Sequence, residues 1–206
     1  MPPATATRRT RLDRAVVVEA ARQLLDDEGL AGFSMSRLGE RLGVTAMALY
    51  RHVSDRADLE HAVLELVLGD LTVEPAAHDQ HDQGDADAVA TWMRRVRAHW
   101  LEHPWLGSLL GSSTSLNPAW VVALERLAGA LERTGLSHDD VARELVRISR
   151  ITCGILVQEV AAPLPQRGGQ SLRRYAAALG RYDGDALFDD LVDEAVARIR
   201  RLASRS

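Results

Sequence analysis

The chain has 206 residues, 46% of them hydrophobic and 26% charged, with a formal net charge of -4. That is enough apolar material for one large domain or two small ones, and the charge balance excludes a generally basic nucleic-acid protein. No apolar run approaches the roughly 20 residues a membrane span needs, and none follows the arginines of "MPPATATRRTR", so neither a span nor a signal peptide is expected. Positive charge is instead local: Arg8, Arg9 and Arg11 lead in, and Arg51 and Arg56 follow, which suffices to find a polyanion. Apart from histidine, every basic residue is arginine. The single Cys153 excludes an intrachain disulfide, fits a reducing cytoplasm, and reads as a small buried filler in its apolar run.

In chain order the pattern is helical throughout. "LDRAVVVEAARQLLDDEG" carries Leu12, Ala15, Val16, Ala20, Leu24 and Leu25 on a helical stripe and stops at Gly29. In "FSMSRLGERLG", Ser34 is the expected N-cap, Leu38 and Leu42 are buried i,i+4 partners, and Gly43 is the stop. Thr45 then caps a short helix that buries Leu49 and Val53 and leaves Met47, Tyr50, Arg51 and Ser54 together on the opposite face. Asp55 caps the next helix, "RADLEHAVLELVLGDL".

The polar text from Thr72 to Ala86, broken by Pro75 and Gly84, marks a boundary, giving units 1–70 and 71–206. A second helical block follows. One helix breaks at Pro104, the next has Pro118 at its first position, and the next is capped by Ser137 and ends at Pro163. A short helix near Leu172 to Gly180 and a final one, "DALFDDLVDEAVARIRRLA", complete the chain. No run alternates as a strand would, so the expected class is all-α.

Two short helices joined through Gly43 make a helix-turn-helix. Gly43 admits a positive φ, and Gly39 has no side chain where the helices approach. Placing the second helix in a DNA major groove explains its exposed polar face.

The stretch "GLAGFSMSRLGERLGVTAMALYRHVSDRADLEHAVLE" resembles the DNA-binding domain of TetR-family repressors, with Gly43, Val44, Leu49, Tyr50, His52, Val53 and Leu59 in the family's register. Arg56 stands where that family usually has a phosphate-gripping lysine. The resemblance covers roughly residues 10 to 70 and implies a three-helix DNA-binding domain followed by a helical ligand-binding and dimerisation domain. The phrase "EHPWLGSLLG" and the helices after it are similar to the tetracycline-repressor-type subclass.

By this resemblance Tyr50, His52 and Arg56 touch the DNA backbone, and Thr45, Ala46, Met47 and Ala48 face bases. The family often has Gly-Thr or Pro-Thr where this chain has Met47 and Ala48. Ala46, Met47 and Ala48 have no side-chain hydrogen-bonding groups for bases and pack only on groups such as thymine methyls. Ser36, Arg37, Thr45 and Arg51 are therefore expected to carry more of the direct readout, with Ser34 beside them. Arg8, Arg9 and Arg11 read either as a solvated tail or as an arm in the groove.

The remaining clusters are weaker. "HDQHDQGD" spaces His78, Asp79, His81 and Asp82 as a metal could use them, yet in so polar a segment they read as a solvated loop; no metal and no cofactor are expected. Asp139-Asp140 and Asp189-Asp190 are helix-start carboxylates, and no catalytic grouping stands out, so the chain is not expected to be an enzyme.

All four tryptophans lie in the second block. Trp92, Met93, Trp100, His103, Trp105 and Trp120 either line a small-molecule pocket or form ordinary core; Arg150 and Gln158 are candidate polar anchors for the ligand. A two-fold operator calls for a homodimer. Its interface is expected on the helices holding Leu145, Ile148, Thr152 or Cys153, Leu156, Leu187, Leu191 and Ala195. The expectation is a cytoplasmic homodimeric repressor, bound to double-stranded DNA and released by a small molecule. The rival is a ligand-sequestering or protein-interaction protein that has lost DNA binding, favoured by the apolar Ala46-Met47-Ala48 face.

Overall fold

The computed structural model describes residues 12–72, 85–112, 117–160 and 183–205. Arg8, Arg9, Arg11, His78, His81 and the expected helix near 172–180 lie outside them, as does the side chain of Gln158. Among the described residues all regular structure is helical: α1 (Arg14–Gly32), α2 (Met35–Leu42), α3 (Ala46–Leu49), α4 (Arg56–Thr72), α5 (Asp85–Glu102), α6 (Leu106–Ser112), α7 (Pro118–Arg133), α8 (His138–Val160) and α9 (Gly184–Ala203). None of these helices is long and apolar enough to cross a membrane. They divide into two units, one ending at Val67 and the other starting at Leu68, with the division inside α4.

In the first unit α1 starts where the Asp13 carboxylate accepts the Val16 N–H at 2.9 Å. Its buried stripe is Val17, Val18, Ala20, Ala21, Leu24 and Leu25. The helix kinks at Gly29 and continues to Gly32, three residues past the expected stop. Ser34 caps α2, its hydroxyl accepting the Arg37 N–H at 3.2 Å. At the other end Gly43 sits in the left-handed region, φ 67° and ψ 31°, so the chain turns into α3 without a Cβ penalty. Leu38, Leu49 and Val53 are buried between these helices, whereas Leu42 is only half-buried. Fully burying a leucine stabilises by about 1.5–3 kcal/mol, so Leu38 and Leu49 are principal fasteners of the turn.

In the second unit α5 packs on α7 and α9, α8 lies against α5 and α7, and α6 rests on α8. Asn117 caps α7 with Pro118 at its first position, and Ser137 caps α8 by accepting the Asp140 N–H at 3.3 Å. Val89, Met93, Leu106, Leu127, Leu131, Ile148, Leu156, Phe188, Val192 and Ile199 form the core. Within it lies one fully buried carboxylate. Glu144 of α8 accepts from Arg147 at 2.6 Å and from Arg198 of α9 at 2.8 Å.

This packing corrects the expected subunit interface. Ile148, Thr152, Leu156 and Ala195 are buried by the chain itself, so they are core residues and not a free surface. Leu145, Cys153 and Leu191 are half-buried, and Leu187 is 49% exposed. Val146, which the sequence reading passed over, is 47% exposed on α8. The reason is geometric: the helical period identifies an apolar stripe but not what covers it.

Candidate nucleic-acid interface

The turn between α2 and α3 is built on contact. Gly43 N–H donates to the Glu40 carbonyl at 3.1 Å, and Val44 N–H to the Gly39 carbonyl at 2.9 Å. A Cβ on Gly39 would stand 2.8 Å from the Val44 carbonyl oxygen and 3.1 Å from the Ala46 nitrogen. Only glycine lets α3 start this close to α2.

α3 is a single turn. Leu49 is its buried residue, and the opposite side is open: Met47 is 75% exposed, Tyr50 43%, and Thr45, Arg51 and Ser54 are exposed as well. Thr45 occupies the N-cap position, but its side chain makes no capping hydrogen bond; Ala48 N–H bonds instead to the Thr45 carbonyl at 2.9 Å. The expected side-chain cap is therefore replaced by a backbone one. Among the described residues neither the Tyr50 hydroxyl nor the half-buried His52 imidazole has a hydrogen-bond partner, and no carboxylate pairs with Arg51. Ala46 and Ala48 are half-buried flanks of the same turn.

The other predicted cations among the described residues, Arg37 and Arg56, are engaged within the unit. Arg37 of α2 holds Glu28 of α1 through two nitrogens, at 2.8 Å and 3.3 Å, and reaches Glu40 at 3.4 Å. Its neighbour Ser36 is exposed. Arg56 donates to Glu60 at 2.6 Å and to the Phe33 carbonyl at 3.4 Å, and its guanidinium lies over the Phe33 ring, 5.2 Å from the centroid. Two of its five N–H donors are thus occupied and the group remains exposed. Arg41, on the same helix as Arg37, pairs with Asp27.

Sequence reasoning missed the residues that hold α3 in place. Arg14, at the start of α1, donates to the His52 carbonyl at 3.1 Å and binds Asp58 through both terminal nitrogens, at 2.9 and 2.7 Å. Asp58 also accepts the Ser54 N–H at 2.8 Å, while its own N–H bonds to Asp55 at 2.8 Å. These exchanges close the loop from α3 into α4 as a capping box does, with Asp55 in the capping role expected of it. The Arg14 guanidinium and the Ser54 N–H hold the Asp58 carboxyl well below the usual carboxylate range. Arg14 and Asp58 are 44 residues apart, and no local spacing links them.

In the second unit Trp92, Met93, Trp100, His103, Trp105 and Trp120 are all buried. Trp120 lies 6.2 Å from Trp92 and 6.0 Å from Trp100, ring centroid to centroid. The Trp92 indole N–H is satisfied by the Ala123 carbonyl at 2.8 Å, whereas that of Trp100 is buried without a partner among the described residues. His103 lies 5.7 Å from Trp105. Arg150 is exposed, so it is not among the buried groups of this cluster.

Residues 17–63 match the family model described as "Bacterial regulatory proteins, tetR family". The chain is 33% identical over 145 residues to the HTH-type transcriptional repressor DrrR1 of Streptomyces coeruleorubidus, covering 69% of this chain and 51% of that one. It thus spans about half the length of that relative. It is 27% identical over 172 residues to the tetracycline repressor protein class C of Escherichia coli, covering 82% and 77%. Among solved structures, a possible TetR family transcriptional regulator from Streptomyces coelicolor superposes with a TM-score of 0.77 at 26% identity, over 92% of this chain and 99% of that one.

Proposed function

Because the chain belongs to the TetR family of bacterial transcription regulators through its N-terminal domain, we propose that it is a homodimeric repressor whose two copies of α3 enter successive major grooves of a pseudo-palindromic operator. One observation carries the reading: α3 buries Leu49 and turns Thr45, Met47, Tyr50 and Arg51 to solvent, a polar and cationic face without internal partners among the described residues.

In this reading Tyr50, His52 and Arg56 hold phosphates, while Thr45, Ser36 and Arg51 read base edges and Met47, Ala46 and Ala48 pack on thymine methyls. Arg37 reaches DNA only by exchanging Glu28 for a phosphate or base, and Ser34 is held by its capping bond. Arg8, Arg9 and Arg11 add the charge of a leading arm. The protein works in the cytoplasm, where its operator is, and no catalytic step is assigned to it.

The second unit would receive a small aromatic or apolar effector beside Trp100, Trp105, Trp120, Met93 and His103, with Trp92 as a wall. The relative named as a tetracycline repressor supports this class of effector. Release is a coupling free energy: the effector prefers a conformer whose two α3 helices are wrongly spaced for the operator. α4, which contributes residues to both units, is the covalent route for that coupling.

The test is fluorescence anisotropy on DNA from just upstream of the protein's own gene, beside unrelated DNA, across a salt series. The expected result is selective binding that tightens steeply at low salt and weakens at least about 100-fold in a Tyr50→Ala, Arg56→Ala variant. Equal weak binding to both DNAs would overturn the operator reading. A molecule that binds the second unit without changing operator affinity would overturn the induction reading.

A further inference from the structure

We propose that His99, Glu102 and His103, at the C-terminal end of α5, form a binding site for a divalent first-row transition-metal ion such as zinc, cobalt or nickel. The local sequence is "HWLEH". Histidines at i and i+4 share a helical face, with Cβ atoms about 5–6 Å apart, a spacing at which two imidazole nitrogens reach one ion. α5 ends at Glu102, but the His103 N–H donates to the His99 carbonyl at 3.1 Å, so the helical register carries through His103. The two rings lie 5.1 Å apart at an interplanar angle of 74°. One ligand atom from each of the three side chains lies within 4.8 Å of the other two.

Magnitudes support the fit. Bonds of about 2.0–2.2 Å to nitrogen and carboxylate oxygen put two tetrahedral ligands about 3.3 Å apart. Closing from 4.8 Å to that spacing moves each ligand atom by less than about 1 Å. His99 and His103 are buried, with Trp105 packed 5.7 Å from His103, so the surroundings restrict both rings. Glu102 is exposed, so the cluster has one ligand open to solvent. The last-turn carbonyls of α5 carry the negative end of the helix dipole and favour a cation there. Two imidazoles and one carboxylate select zinc, cobalt, nickel or copper over magnesium or calcium, which prefer all-oxygen shells. Water fills the remaining positions. The proposal shares His103 with the proposed effector site but does not rest on the operator reading, and its test reads ion binding alone.

The experiment uses the full chain without an affinity tag, in a His78→Gln, His81→Gln background that removes the other closely spaced histidines. Cobalt(II) is titrated at pH 7.5 and followed by its d–d absorption and by tryptophan fluorescence; zinc is counted by equilibrium dialysis. About one ion per chain is expected, with micromolar affinity, tryptophan quenching by cobalt, weakening of at least about 30-fold in His103→Gln and of about 10-fold in Glu102→Gln. Because Glu102 is exposed, Glu102→Gln keeps the fold even where a histidine variant does not, and Glu102→His is expected to restore binding. Absence of a bound ion, or an affinity unchanged in both His103→Gln and Glu102→Gln, overturns the proposal.

Discussion

Arg14 and Asp58 matter because they fix where the α3 loop ends. The Asp58 carboxyl titrates below its unfolded value of about 3.9, so its contribution to stability is complete above that pH and fades as the pH falls toward the folded value. Thermal melts of the wild type and Asp58→Asn are therefore expected to differ most at pH 6–7 and to converge progressively below about pH 4. A gap that widened on acidification would contradict this linkage. Nothing in the sequence announces the pair, since each residue alone is an ordinary exposed charge. Thr45 was legible as an N-cap by type and position, yet its hydroxyl does not cap. Propensity assigns a residue to a cap, whereas the bond depends on a side-chain rotamer that the sequence does not fix.

At the scale of elements, the turn between α2 and α3 tests two different uses of glycine. Gly43→Ala forces an alanine into the left-handed region and is expected to cost about 1–2 kcal/mol, with Gly43→Asn costing less. Gly39→Ala has no φ problem but drives a methyl against the Val44 carbonyl, so it is expected to cost about 1–3 kcal/mol and to displace α3 as well. Urea unfolding measures the first effect. DNA anisotropy separates the two, because Gly39→Ala should lose more affinity than its stability explains, and Gly43→Asn should not. Between α8 and α9 the decisive group is Glu144. Glu144→Ala removes the shared acceptor of Arg147 and Arg198, and a loss of about 2–3 kcal/mol is expected in urea unfolding, at the low side because both arginines can turn to water. Arg198→Ala leaves Glu144 paired with Arg147 and should cost less; the reverse order would show that the carboxylate is not the hub. The i,i+3 partner Arg147 was within reach of the sequence, but the hub was not legible, because its second partner, Arg198, lies on a helix 54 residues away.

For the whole molecule, the proposed homodimer needs apolar surface that the protomer has not already covered. Among the described residues, Val146 on α8 and Leu187 on α9 are the exposed large apolar residues of those helices. Val146→Glu with Leu187→Glu is expected to yield a folded monomer by sedimentation velocity and to weaken operator binding by at least about 100-fold, since half-sites then bind singly. A dimer that survives both changes would place the interface elsewhere. The contrast with Ile148 and Leu156 is instructive: both were expected at the interface alongside Leu187 while Val146 was not, and burial separates the two covered by the chain from the two left open.

The sequence by itself determined the helical class and the helix-turn-helix, because a 3.6-residue period, N-caps such as Ser34 and Asp55, and glycines at positions 39 and 43 act over distances of a few residues. It also determined which face of α3 is polar. Only the tertiary structure decided which cations on that side are already paired, as Arg37 is with Glu28, and which have no carboxylate partner among the described residues, as Arg51 has none. It likewise decided which side of α8 is core. Those outcomes depend on groups brought together across many residues by packing, and sequence separation carries no record of them.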